Sequence, residues 1–290
     1  MKALVLGSTG QLGQCIKDAV KESDIDIVFF SRKDFDFLDL NNSLDKFDSI
    51  HPDIIVNAAA FTNVDLAEDQ EFTANEVNNL GLEFLASKCK QLNSHLIHIS
   101  TDYIFDGLRD SPYTEDSTPN PINIYGQTKY DGELRIQESG CKYTILRASW
   151  IFSEYGSNFL KTIMMLGQTK ERLTVINDQV GSPTYAHDIA GIILEIFFSS
   201  STDRYNQEIF NVCGHHQISW YDFSCKILSA AKSLGISVSA DVFPIDSDEF
   251  NQNANRPKYS ALSNSKMLSR FKYKMTSLDE AILSSINCAN

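Results

Sequence analysis

The stretch NIYGQTKYDGE carries a phenol, Tyr125, and an amine, Lys129, four residues apart. On a helix that spacing puts both side chains on one face, one turn apart. A free phenol titrates near pH ~10, too high for acid–base work at neutrality, and an ammonium beside it favours the phenolate and lowers that value. The pair therefore reads as a proton-transfer unit, with Tyr125 giving a proton to a carbonyl oxygen as hydride reaches its carbon. Lys129 in addition can hold the ribose of a nicotinamide cofactor. By itself a Y-x-x-x-K spacing usually reflects packing and solvation, because exposed lysines are common. Two other stretches give it weight. HISTDYIFDG sets Ser100, Thr101 and Asp102 at the end of an apolar run, where Thr101 can hydrogen-bond the same oxygen, and GSTGQLG sets Gly7, Gly10 and Gly13 directly after the first apolar run.

The elements that must position these groups follow from periodicity. Short apolar runs (KALVL, DIDIVFF, PDIIVNAAA, SHLIHIS, YTILRAS) alternate with helical patterns over 11–20, within NSLDKFDSI, over about 71–92 and from Tyr125. Strands alternating with helices predict parallel βαβ units, and wholly apolar strands predict a sheet covered on both faces. The expected fold class is α/β, a Rossmann-like doubly wound parallel sheet with a smaller C-terminal α/β substrate domain. Residues 1–150 form the expected dinucleotide-binding domain, with 185–212 returning to it; 151–184 and 213–290 form the substrate domain. Thr184 is the expected cap of one later helix, Ser219 the cap of another that stops at Gly235.

In such a fold the glycine loop lets the backbone turn tightly and approach a pyrophosphate, which the free N–H groups of the following helix then hold. The spacing is G-x-x-G-x-x-G rather than the standard G-x-G-x-x-G. The second strand ends in FFSRKD, where this fold places an acid for a free ribose or a base for a 2′-phosphate. Ser31 and Arg32 therefore predict NADPH, with NADH as the second possibility.

The 290 residues carry a formal charge of −13, which argues against a nucleic-acid partner. Cys15, Cys89, Cys141, Cys213, Cys225 and Cys288 form no C-x-x-C pair and fit a reduced, cytoplasmic protein. The N-terminal apolar run is too short for a signal peptide, and IAGIILEIFF, broken by Glu195, is half a membrane span, so no membrane partner is expected. The six histidines are not spaced as zinc ligands.

Taken together, GSTGQLG, SRKDFDFLD, PDIIVNAAAFTNVDLAE, NEVNNLG, ISTDYIFDG, PINIYGQTK, LRASWIF, NDQVGSPT and RPKYSAL give a near full-length resemblance. The chain resembles the extended short-chain dehydrogenase/reductases and, among them, the dTDP-4-dehydrorhamnose reductase family. That resemblance implies a Thr101–Tyr125–Lys129 triad and reduction of the 4-keto group of dTDP-4-dehydro-L-rhamnose. It implies cofactor contacts at Gly10, Gln11 and Leu12, at Asp36 and Phe37 beside the adenine, along Ala58, Ala59, Ala60 and Thr62, and at Asn78. It implies contacts to a nucleotide-sugar from Thr101, Asp102, Trp150 and Arg256.

Two departures qualify it. Some relatives bind a divalent ion at a dimer interface through an acid in the first helix; that position is Cys15 here and the C-terminal SSINCAN offers no carboxylate side chain, so neither the metal nor the dimer it supports is expected, and a homodimer is otherwise a possible partner. Phe61 stands where the family has His or Tyr. Two other readings keep the fold: a sister reductase acting on another 4-keto-6-deoxy sugar, and a non-catalytic regulatory subunit. The intact Thr–Tyr–Lys set speaks against the subunit; product stereochemistry separates the sister enzymes.

Overall fold

The computed structural model describes every residue except Glu22, Asp24, 41–45, Asp48, Ser200, Ser201 and Asn290. The helix expected within NSLDKFDSI therefore lies largely outside the described residues.

Six parallel strands form the central sheet: β1 (Lys2–Leu6), β2 (Asp26–Phe30), β3 (Ile54–Asn57), β4 (His95–Thr101), β5 (Lys142–Ala148) and, from far along the chain, β10 (Glu208–Asn211). Their order is β10-β5-β4-β3-β1-β2. Strand alternation divides β1 between two cores. Ala3 and Val5 face α1 (Gln11–Val20) and α7 (Ala186–Phe197). Leu4 and Leu6 face α4 (Gly81–Leu92) and α5 (Ile124–Ser139). Burial on both faces is why the strands read as continuous apolar runs. After β2 the chain crosses to the other side of β1, so the helices following β1 and β3 pack on opposite faces of the sheet and a crevice opens at the carboxyl edge.

Between β5 and β10 lie β6 (Ile151–Phe152), α6 (Phe159–Thr169), β7 (Arg172–Ile176), β8 (Val180–Gly181) and β9 (Thr184–Tyr185). β11 (Ile218–Ser219), α8 (Trp220–Ser233), β12 (Asp241–Ile245), α9 (Ser265–Arg270) and α10 (Leu278–Ala289) follow β10. A separate apolar core of Phe152, Leu160, Ile163, Phe223, Ile227 and Ile282 holds much of this smaller lobe together. α7 packs on α1 and β10 pairs with β5, so the stretch between the lobe's two parts rejoins the large sheet.

Three local expectations change. β3 stops at Asn57, leaving Ala58–Ala60 as loop, because the Asn57 carboxamide turns back to accept the Ala59 N–H at 3.1 Å. The helical stretch 71–92 is not uniform: α3 (Glu71–Asn75) and α4 are joined by a π-helical turn, Glu76–Leu80. Thr184 belongs to β9, and α7 begins after Tyr185 with no side-chain cap. Ser219 does cap α8, accepting Asp222 N–H at 3.0 Å, and Gly235 follows its end at φ +76°.

Candidate active site

The crevice is a single cleft of about 960 Å³ running from the glycine loop to the smaller lobe. That volume is at the upper end of the range for ligand sites (~300–1,000 Å³).

Its first wall is the β1–α1 turn. Gly7 takes φ +82°, and a Cβ there would sit 2.7 Å from Ala59 N, so only glycine lets the two switch-point loops touch. No side chain caps α1; Gly10 N–H donates to Gly7 O and Gln14 N–H to Gly10 O, both at 3.0 Å, so the first-turn N–H groups of Gln11, Leu12 and Gly13 have no partner within the helix. Unpartnered N–H groups at a helix start behind a tight glycine turn suit an anion. Beyond β2, Arg32, Asp36 and Phe37 line the cleft, and Arg32 Nε donates to Asp36 Oδ2 at 2.9 Å.

The opposite wall is the start of α5. Asn123 caps it by accepting Gly126 N–H at 2.7 Å, and Glu68, on the short helix α2 (Val64–Asp69), accepts Ile124 N–H at 2.9 Å. A Cβ on Gly126 would collide with the Tyr103 carbonyl, so this glycine allows the helix to begin against the turn Asp102–Ile104 that ends β4. Tyr125 and Tyr103 meet edge to face at 5.8 Å. Thr101, Tyr125 and Lys129 all line the cleft where β4 meets α5.

The electrostatics differ from the sequence expectation in one respect. Burial raises the Tyr125 pKa, Asp102 and Tyr103 add to the rise, and only the Thr101 hydroxyl pulls the other way. Lys129 does not lower it, because its ammonium end turns to β4, lying 2.7 Å from Ile99 O and 3.1 Å from His98 Nε2. Tyr125 is thus held as a protonated phenol, which suits an acid. Burial brings the Lys129 pKa down to about 8, with Glu133 opposing. Burial lifts Asp102 to about 7, against hydrogen bonds from Ser260 and Thr101.

Of the residues singled out from the sequence, Gly7, Gly10, Gln11, Leu12, Arg32, Asp36, Phe37, Ala58, Ala59, Ala60, Thr62, Thr101, Asp102, Tyr125, Lys129, Trp150 and Arg256 line the cleft. Three do not. Gly13 packs on Gly7 and Ser8, where a side chain would clash with backbone. The Ser31 hydroxyl is taken by Asp34 at 2.7 Å. Asn78, inside the π turn, clamps both backbone groups of Phe61 (2.9 and 3.0 Å) and donates to Thr128, so it shapes the cleft floor from behind.

Sequence reasoning missed Tyr103, Asn158 and Trp220, which also line the cleft. Trp220 stacks on Trp150 with centroids 3.3 Å apart, and no local pattern links two residues so far apart along the chain. Arg256 reaches the cleft from the C-terminal segment, tied to Asp65 at 2.6 Å and Tyr103 Oη at 3.3 Å.

Away from the cleft, Asp18, Glu154 and His187 place ligand-type atoms within 4.8 Å of one another beside Cys15, a juxtaposition that linear spacing does not show. Glu154 pairs with His187 at 2.8 Å, and Asp18 pairs with Lys21 at 2.6 Å. Burial pushes the Cys15 thiol up to about 12, so this position carries a neutral thiol and does not fit the divalent-ion role of an acid there. No helix among the described residues is long and apolar enough to cross a membrane.

The family model described as "RmlD substrate binding domain" matches residues 1–289. The dTDP-4-dehydrorhamnose reductase of Sinorhizobium fredii is 34% identical over 285 residues, covering 97% of this chain and 95% of that one. The spore coat polysaccharide biosynthesis protein SpsK of Bacillus subtilis is 33% identical over 262 residues, covering 90% and 89%. Among solved structures, dTDP-4-dehydrorhamnose reductase from Bacillus anthracis in complex with NADP superposes with a TM-score of 0.90 at 33% identity, covering 99% of both chains.

Proposed function

The chain belongs to the RmlD substrate-binding-domain family, and from that premise we propose that it is an NADPH-dependent reductase of dTDP-4-dehydro-L-rhamnose, forming dTDP-L-rhamnose. The observation that carries the reading is the meeting of Thr101, Tyr125 and Lys129 on one wall of a cleft whose other end is an uncapped helix N-terminus behind a glycine turn. When bound, the cofactor supplies a hydride. Gln11 and Leu12 would hold its pyrophosphate through backbone N–H groups, with Gly10 letting the turn approach closely while its own N–H is held by Gly7 O, and Arg32 its 2′-phosphate.

The chain's own groups manage the oxygen. Tyr125, kept protonated by burial, holds its proton at Oη and passes it to the ketone oxygen as charge develops there. The Thr101 hydroxyl accepts Tyr103 N–H (3.1 Å) and donates to Asp102 Oδ1 (3.2 Å); with the ketone bound it would turn that proton to the same oxygen. Lys129, whose Nζ lies between Ile99 O and His98 Nε2, would grip the cofactor ribose. The Trp150–Trp220 stack and Arg256 supply an apolar face and a cation for the nucleotide-sugar, so we assign the smaller lobe to that ligand. Six unbridged cysteines support a cytoplasmic setting.

The test is to incubate the protein with NADPH and dTDP-4-dehydrorhamnose and identify the sugar by NMR. The expected product is dTDP-L-rhamnose. A different configuration at C4 would assign a sister reductase, and no NADPH consumption would remove the enzymatic reading.

A further inference from the structure

Behind the catalytic wall lies a chain of hydrogen bonds that ends on Lys129. Ala59 N–H donates to Asn57 Oδ1 at 3.1 Å, which fixes the carboxamide with its NH₂ toward β4. Asn57 Nδ2 then lies 3.2 Å from His98 Nδ1, so that ring nitrogen is the acceptor. A neutral imidazole with Nδ1 accepting carries its proton on Nε2, and Nε2 is 3.1 Å from Lys129 Nζ. All three side chains are 1% exposed, so no water competes for these bonds.

The consequence is a conflict that only one proton state of the lysine resolves. An ammonium has three donors and no lone pair, and it would face a second donor, His98 Nε2–H. A free amine accepts from His98 and still donates to Ile99 O at 2.7 Å. Holding the ammonium would require His98 to change tautomer and Asn57 to rotate, which breaks the bond to Ala59 N–H.

We propose that Asn57 and His98 are positioning residues that set the proton state of Lys129, and that they tie it to the Ala58–Ala60 loop on the cofactor side of the cleft. This rests on the reductase reading only for its kinetic consequence. Burial drives His98 well away from protonation, which keeps it a neutral relay rather than a second cation. Among the described residues, Glu133 on its own helix is the charge that acts on Lys129, while Tyr125, Asp102 and Tyr103 line the same cleft and Arg147 on β5 faces Glu133. Glu133 is already matched by Arg147 at 2.7 Å, so its charge is largely spent there. The histidine is therefore the neighbour left to decide the lysine.

The experiment has a ligand-free arm and a kinetic arm. With ¹⁵N-histidine and ¹³Cε-lysine in the apoprotein, long-range ¹H–¹⁵N correlation should show His98 uncharged from about pH 5 to about pH 9 and as the Nε2–H tautomer once Lys129 has lost its proton, with Lys129 titrating below ordinary lysines. Asn57→Asp supplies an acceptor to Nδ1–H and should turn the ring to the other tautomer and raise the Lys129 titration by about one pH unit or more. His98→Gln, whose carbonyl can accept from an ammonium, should raise it too and serves if Asn57→Asp does not fold. In the reductase assay the alkaline limb of kcat/KM should move up with the same variants, whereas a merely structural role would lower kcat at every pH and leave the limb in place. A wild-type Nδ1–H tautomer at a pH above the Lys129 titration, or a Lys129 titration unmoved by both variants, overturns the proposal. Absence of ketosugar reduction would count against the proposed function alone, because the NMR arm needs no substrate.

Discussion

Arg147 on β5 and Glu133 on α5 form a buried fork, with Arg147 Nη2 2.7 Å and Nε 3.2 Å from Glu133 Oε2 and Nε 3.0 Å from Oε1. Their side chains are 3% and 0% exposed. Glu133 lies one turn beyond Lys129 on the same helix, and the pair pins that helix to the sheet. Removing one partner leaves a buried charge without compensation, which costs about 3–5 kcal/mol. Glu133→Ala should therefore lower the denaturant midpoint sharply, and Glu133→Leu combined with Arg147→Met should recover most of that loss. Equal destabilisation by the single and the double variant would mean that shape, not charge pairing, holds the helix.

Tyr125→Phe removes the phenolic proton and little else. Loss of a general acid costs roughly 10²–10⁴-fold in turnover. Steady-state kcat should fall by that much while NADPH affinity, read by titration, barely changes. Turnover within a few-fold of wild type would take Tyr125 out of the chemistry.

Arg32 shares its guanidinium with Asp36, and its side chain is 72% exposed. If it also holds the 2′-phosphate, Arg32→Ala removes a charge-assisted hydrogen bond of about 1.5–3 kcal/mol. NADPH should then bind about 10–150-fold more weakly, with NADH nearly unaffected. Equal weakening of both cofactors, or none, would show that another group reads the phosphate.

Trp150 and Trp220 are the chain's two tryptophans, and they stack 6° from parallel at the cleft. Trp150 holds φ +46°, a conformation that a bulky residue rarely adopts without support from its surroundings. Intrinsic fluorescence therefore reports on this one place. Adding the nucleotide-sugar should change it, and Trp220→Ala should raise KM for the sugar with little change in KM for NADPH. A sugar titration that is silent in fluorescence would put the ligand elsewhere.

The sheet was legible because burial on both faces writes itself as apolar runs, and the cleft because its glycines and the Tyr125–Lys129 pair are local patterns. What escaped is non-local. Trp220 meets Trp150 only after β11 pairs with β8. Asn78 is a conspicuous polar residue, yet its job is to clamp Phe61 from inside a π turn, which sequence spacing presents as ordinary helix. The charge logic at Tyr125 also depended on direction: i, i+4 spacing puts Lys129 on the right face, but β4 offers it the Ile99 carbonyl, so the amine points away from lowering the phenol.

Lys129 makes a prediction about stability as well as catalysis. Its folded pKa, about 8, is depressed from the ordinary 10.5 by burial. The sign follows from proton counting. Between those two values the unfolded chain binds a proton that the native state has released, so this group makes stability rise with pH across that window. Below the folded value both states are protonated and the native state carries the full cost of a buried ammonium. Lys129→Met, which keeps the volume and drops the charge, should therefore be inactive yet more stable at pH 7. The gain should be roughly 1–3 kcal/mol, taking ~1.4 kcal/mol for each pH unit by which burial depresses the lysine and subtracting the lost bond to Ile99 O. Thermal unfolding across pH 7 to about 10.5 should show the gap between variant and wild type shrinking as pH rises. A variant less stable than wild type at pH 7, or a gap independent of pH, would show that Lys129 is not held at a cost.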